Sequence, residues 1–149
     1  MQDNNLYKRS CPANCAADNN TTTGSVGIVI DGENNTVSSS NSVTLGNGIS
    51  SRGGANVAIG YESKAGHQEK PLGPNDANGA TAVGTGSQAV NYRATALGDY
   101  TVASGTDAIG IGTTAQATGD RSISAGLSSG ASGVNAIAIG DKTISTSND

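Results

Sequence analysis

Thr95-Ala96-Leu97-Gly98-Asp99-Tyr100-Thr101-Val102-Ala103 is answered by Ile109-Gly110-Ile111-Gly112-Thr113-Thr114-Ala115-Gln116-Ala117. Each segment alternates bulky, small, bulky, reaches a glycine, and then alternates again more weakly with small residues at the third and fifth places. Alternation with period two is strand behaviour. The unit therefore reads as strand, tight turn at glycine, strand, turn, with Gly/Asn/Asp-rich segments such as Thr118-Gly119-Asp120 and Ser132-Gly133 closing it.

The same unit recurs along the chain. Glycine stands at 32, 46, 60, 84, 98, 112, 126 and 140, a 14-residue comb with a single wider gap between 60 and 84. Self-similarity at a short fixed period predicts a stack of coils in which each repeat packs only on its neighbours. These glycines read as turn positions where φ > 0 or close backbone approach excludes a Cβ. A phosphate-binding loop is rejected, because no Gly-Lys-Ser/Thr element, following helix pattern or βαβ context accompanies them.

Aligned on the glycine, the blocks are Val43-Thr44-Leu45, Val57-Ala58-Ile59, Thr81-Ala82-Val83, Thr95-Ala96-Leu97, Ile109-Gly110-Ile111, Ile123-Ser124-Ala125 and Ile137-Ala138-Ile139. On a strand the outer two residues share one face and the middle one points to the other. The small middle column predicts a flattened coil whose two sheets nearly touch. The aliphatic columns demand a second apolar surface elsewhere. Glu62, Lys64, Gln88, Tyr100 and Gln116 are expected to face water.

Composition sharpens that demand. The 149 residues include no Phe, no Trp, four Tyr and one Met, too little side-chain volume for a conventional two-layer core. A continuous aliphatic stripe along a lone coil stack would be an exposed patch of the size that marks an interface. Homo-oligomerisation about a common axis is expected, and a trimer suits a wedge-shaped coil best. Val43, Leu45, Val57, Ile59, Val83, Leu97, Ile109, Ile111, Ile123, Ile137 and Ile139 are the expected interface residues.

A formal net charge of −4 argues against a nucleic-acid footprint. No apolar run approaches the ~20 residues needed to span a bilayer. Residues 1–24 form a polar leader without the apolar core of a signal peptide, so Met1 reads as the start of an expressed fragment. Cys11 and Cys15 in that leader have no second Cys/His pair to complete a zinc site. They are expected to form a small local disulfide in an oxidising setting.

One histidine and a thin scatter of carboxylates argue against an enzyme, a metal site or a cofactor, and HExxH, GxSxG and EF-hand signatures do not occur. Hexapeptide-repeat acyltransferases are also stacked coils, but their period is six per face. The Gly-Gly-x-Gly-x-Asp calcium repeat does not recur either. An ice-binding solenoid would need a flat Thr-x-Thr ladder in one column.

The one irregular gap, Gly60 to Gly84, spans one period plus ten. The surplus falls near 67–76 and holds two of the three prolines and the only histidine. Proline cannot donate to a ladder, so this segment must leave the sheet as a loop. Such a loop either carries recognition or staples neighbouring subunits. His67, Gln68, Glu69, Lys70, Asn75 and Asp76 are the ligand-contact candidates there, with Tyr92 and Arg93 beside them. Tyr61, Tyr100 and Arg121 are further conspicuous outward residues.

The repeated Val-Ala-Ile-Gly followed by small residues resembles the head repeats of trimeric autotransporter adhesins, the YadA-like heads of Gram-negative surface proteins. Asn41-Ser42-Val43-Thr44-Leu45-Gly46, Asn56-Val57-Ala58-Ile59-Gly60 and Asn135-Ala136-Ile137-Ala138-Ile139-Gly140 carry the resemblance, which covers about 24–149. Thr44 and Leu45 depart from the family consensus, as does the lack of Ser after Asn56.

The resemblance implies an all-β, left-handed parallel β-roll over 25–149, assembled as a homotrimer. It also implies anchorage to the outer membrane through segments outside this chain, and no direct membrane contact. Family heads attach bacteria to collagen, fibronectin and laminin, to host cell receptors, and to one another. The alternative from another class is a structural fibre or spacer, such as a phage fibre segment.

Overall fold

The computed structural model describes residues 20–22, 27–66 and 79–148. The expected disulfide pair Cys11–Cys15 and the insertion candidates His67, Gln68, Glu69, Lys70, Asn75 and Asp76 lie outside these residues.

The described residues form an all-β parallel solenoid of two sheets, one of eight strands and one of nine. The first sheet stacks Gly27–Asp31, Ser42–Leu45, Val57–Ile59, Thr81–Val83, Thr95–Leu97, Ile109–Ile111, Ile123–Ala125 and Ile137–Ile139. The second sheet holds the partner strand of each coil, five residues long at Thr36–Ser40 and Ser50–Gly54 and two residues long at Lys64–Ala65, Gln88–Ala89, Val102–Ala103, Gln116–Ala117, Gly130–Ala131 and Ile144–Ser145. The chain alternates between the sheets, so the 14-residue period becomes parallel register: Thr95 pairs with Ile109, Ile109 with Ile123, and Ile123 with Ile137.

Backbone pairing continues round both corners. Gly98 N donates to Val83 O at 2.8 Å, Tyr100 N to Thr85 O at 2.7 Å and Asp107 N to Tyr92 O at 2.9 Å. A thin coil leaves little room for water, and this continuous ladder satisfies the buried main-chain groups instead. Asp99, Asp120, Asn47 and Asn148 add side-chain caps, each Oδ1 accepting from a corner N–H one period earlier.

The interior is as narrow as the small columns imply. Ala94, Ala96, Thr101 and Ala103 from one coil are fully buried, followed by Ala108, Gly110, Ala115 and Ala117 from the next. Towards the N-terminal coils the lumen holds larger groups, with Val37, Ile49, Asn35 and Asn56 buried. Asn56 acts as a peg there: its Oδ1 accepts from Ala80 N at 3.0 Å and its Nδ2 donates to Arg52 O at 2.7 Å. It thus ties together the coils on either side of the insertion.

Two details differ from the sequence expectation. The Gly27–Asp31 strand pairs with Ser42–Leu45 at an offset of 15, and a bulge between Val29 and Asp31 restores the 14-residue phase at Gly32. The turns, moreover, are not carried by the comb glycines alone. Each coil has left-handed residues at both corners, and Tyr100, Thr114 and Ser128 occupy them at one corner, Arg93, Asp107, Arg121 and Asn135 at the other. The continuous corner ladder over-determines these conformations and holds non-glycine residues in them.

The comb glycines from Gly32 to Gly126 meet both conditions set for them. At Gly98, φ is +130°, and a Cβ would stand 2.7 Å from the carbonyl oxygen of Gly112 in the next coil. Close coil-on-coil approach, together with the backbone angle, excludes any side chain there.

Candidate functional site

The aliphatic residues singled out from sequence form two ladders on the outer face of the eight-stranded sheet. One runs Val43, Val57, Thr81, Thr95, Ile109, Ile123, Ile137, and the other Leu45, Ile59, Val83, Leu97, Ile111, Ala125, Ile139. Parallel stacking brings all eleven interface candidates onto one face. Most are half-buried by their own neighbours, but Leu45, Leu97, Ile111, Ile137 and Ile139 are exposed, Ile139 at 67%. The outer column of the opposite sheet is mixed: Ser50, Lys64, Gln88, Val102, Gln116, Gly130 and Ile144. The solenoid is therefore two-sided, with its continuous apolar face on one sheet only.

Tyr92 and Arg93 sit at a corner, with Arg93 one period beyond Gly79. Gly79 is the first described residue after the insertion, and a Cβ there would lie 3.9 Å from Arg93 Cγ. The Asn91 side chain shapes this corner, accepting from Tyr92 N at 2.8 Å and donating to Ser104 O at 2.9 Å. The Arg93 guanidinium lies 4.4 Å from the Tyr92 ring centroid and is forked onto Asp107, with Nη2 to Oδ2 at 2.6 Å.

Asp107 is held below the usual carboxylate range by the hydrogen bond from Arg93, with smaller help from the charges of Arg93 and Arg121. Arg121 Nε in turn donates to Asn135 Oδ1 at 2.7 Å. One corner thus carries a polar ladder, Arg93, Asp107, Arg121, Asn135, at single-period steps. Asp107 was not among the sequence candidates, although its place one period beyond Arg93 was the available signal.

Tyr61 and Tyr100 lie on the opposite corner, 57% and 62% exposed. The Tyr61 hydroxyl is raised above its ordinary range, chiefly by its hydrogen bond to Glu62. The Tyr100 ring lies across Gly86 of the preceding coil, where a Cβ would come within 2.7 Å of it.

Residues 76–101, 103–129 and 131–149 match the YadA head domain repeat (2 copies). This stretch belongs to the YadA head repeat family. The matched segments coincide with the most regular coils, where every strand pairs at the 14-residue step. The same parallel topology continues through the coils before the insertion. No curated protein matches the chain. The family points to an adhesin type of function.

Proposed function

We propose that this chain is the head of a bacterial surface adhesin, a left-handed roll that assembles as a homotrimer and attaches the cell to host matrix proteins or host cells. The observation that carries the reading is the pair of aliphatic ladders on the eight-stranded sheet, in a chain whose repeats belong to an adhesin-head family. An apolar face of that length costs free energy in water, and identical faces meeting about a closed axis remove it without leaving an open end for fibre growth. Three copies per head, and many heads per cell, convert weak contacts into firm attachment.

Collagen, fibronectin, laminin and host cell receptors are the proposed partners, with self-association between cells as a second use of the same surface. The insertion His67 to Asp76 is proposed to contribute to recognition, together with Tyr92 and Arg93. Two measurements test the reading. Sedimentation equilibrium should give about three times the 14.6 kDa chain mass, and a solid-phase screen should show binding to one or more matrix proteins or to epithelial cells. A monodisperse monomer refutes the assembly, and silence across the whole screen refutes the adhesin in favour of a spacer.

A further inference from the structure

Gly130 is a glycine that the backbone does not require. Unlike the comb glycines it has no left-handed φ, and a Cβ built on it meets nothing within 4 Å. It lies inside a strand, where glycine weakens the ladder and often marks a place where something approaches the backbone closely. In the outward column of the nine-stranded sheet it stands between Gln116 and Ile144. The missing side chain opens a shallow depression of about 400 Å³ across three coils. That is at the small end of the ~300–1,000 Å³ range of ligand clefts.

The chemistry of the lining is selective. The side chains of Gln116, Thr118 and Ser132 point outward and make no hydrogen bond within the described residues, so an amide and two hydroxyls are free for a ligand. On one side Thr114 Oγ1 and Ser128 Oγ pair with each other at 2.9 Å, and on another stands the apolar Ile144, 77% exposed. No charged side chain lines the depression. Groups that both donate and accept, beside an aliphatic wall and without charge, match a neutral sugar ring. Its hydroxyls can take the amide and hydroxyl bonds while its C–H face covers Ile144. An acidic sugar or a phosphate would find no cation there, and a basic peptide no carboxylate.

We propose that the depression over Gly130 binds a neutral hexose or N-acetylhexosamine unit of a glycan. The site lies on the sheet opposite the aliphatic ladders, so it stays open in an assembly built on them. It deepens the adhesin reading and rests on it for its biological use.

The test is saturation-transfer NMR and titration of the whole chain with maltotriose, lactose and N,N′-diacetylchitobiose. Wild type should bind at least one of them. Gly130→Gln should weaken that binding at least tenfold with no loss of thermal stability, since Gln occupies this column at 88 and 116. Gln116→Ala, which leaves the backbone untouched, should weaken it severalfold. Equal binding by wild type and Gly130→Gln, or no binding of any probe, overturns the site. Cell adherence separates the two proposals: an adherent Gly130→Gln head that has kept full attachment overturns the glycan site alone. A wild type that binds sugar but adheres to nothing overturns the adhesin alone.

Discussion

Thr101 and Gly110 share a single space inside the roll: a Cβ on Gly110 would stand 2.9 Å from Thr101 Cγ2. In neighbouring coils the Gly110 position holds Ala96 or Ser124, and the Thr101 position holds Ser87 or Ala115. Volume added on one sheet has thus been removed from the other. The Thr101 hydroxyl also donates forward to Gly112 O of the next coil, whereas Ser87 and Ser129 donate back within their own coils to Gly84 O and Gly126 O at 3.0 and 3.1 Å.

Gly110→Ala should therefore destabilise the roll by about 1–3 kcal/mol through overpacking. Thr101→Ser deletes the offending methyl and keeps the hydroxyl, so Thr101→Ser/Gly110→Ala should recover most of that loss. A double-mutant cycle by denaturant unfolding checks this; additive effects would refute the shared volume.

Gly98→Ala meets both the positive φ and the Gly112 carbonyl, and is expected to cost about 2–5 kcal/mol. Gly130→Ala, free of both, should be neutral or stabilising by about 0.5 kcal/mol. Thermal unfolding of the two variants side by side distinguishes glycines that the coil needs from one that it does not.

Asn56→Ala removes the acceptor of the buried Ala80 N–H at the junction with the insertion. The expected loss is about 1–3 kcal/mol. Hydrogen exchange should show the loss of protection centred on Ala80 and its neighbours, rather than spread evenly through the C-terminal coils.

The Arg93–Asp107 fork gives a pH signature. Asp107 has its pKa lowered in the folded chain, so its contribution is present above the unfolded value near 4 and is lost as pH falls through the folded one. Both groups are solvent-accessible, so the effect is small and salt-screened. Melting temperatures should fall more steeply below about pH 4 in wild type than in Asp107→Asn, and the difference should shrink in high salt; identical acid limbs would show that the fork adds nothing.

Leu97→Asp/Ile111→Asp places carboxylates in the middle of an aliphatic ladder without touching the lumen. The prediction is a folded chain, by circular dichroism, whose mass drops from three chains to one. Retention of the wild-type mass would place the interface on another face.

Much of this architecture was legible because a parallel coil stack turns sequence distance directly into spatial contact. Residues one period apart become cross-strand partners, so the columns around Gly98 and Gly112 already contained the lumen, the aliphatic ladders and, unread, the Arg93–Asp107 pair. The left-handed residues at Arg93, Tyr100 and Thr114 were not legible, because intrinsic preference places glycine or asparagine there and the ladder around the corner overrides it. The bulge at Val29–Asp31 was hidden for a related reason: the glycine spacing is regular on either side of it.

The sequence by itself determined the coil, its period, its thin interior and the side on which its aliphatic residues gather, since all of these follow from what recurs at a fixed step. Tertiary structure alone decided which residues oppose one another across the lumen, as Thr101 opposes Gly110, and which glycine is dispensable to the backbone, as Gly130 is. The physical reason is that repetition encodes contacts between coils, whereas contacts across a coil depend on how sharply its two corners bend.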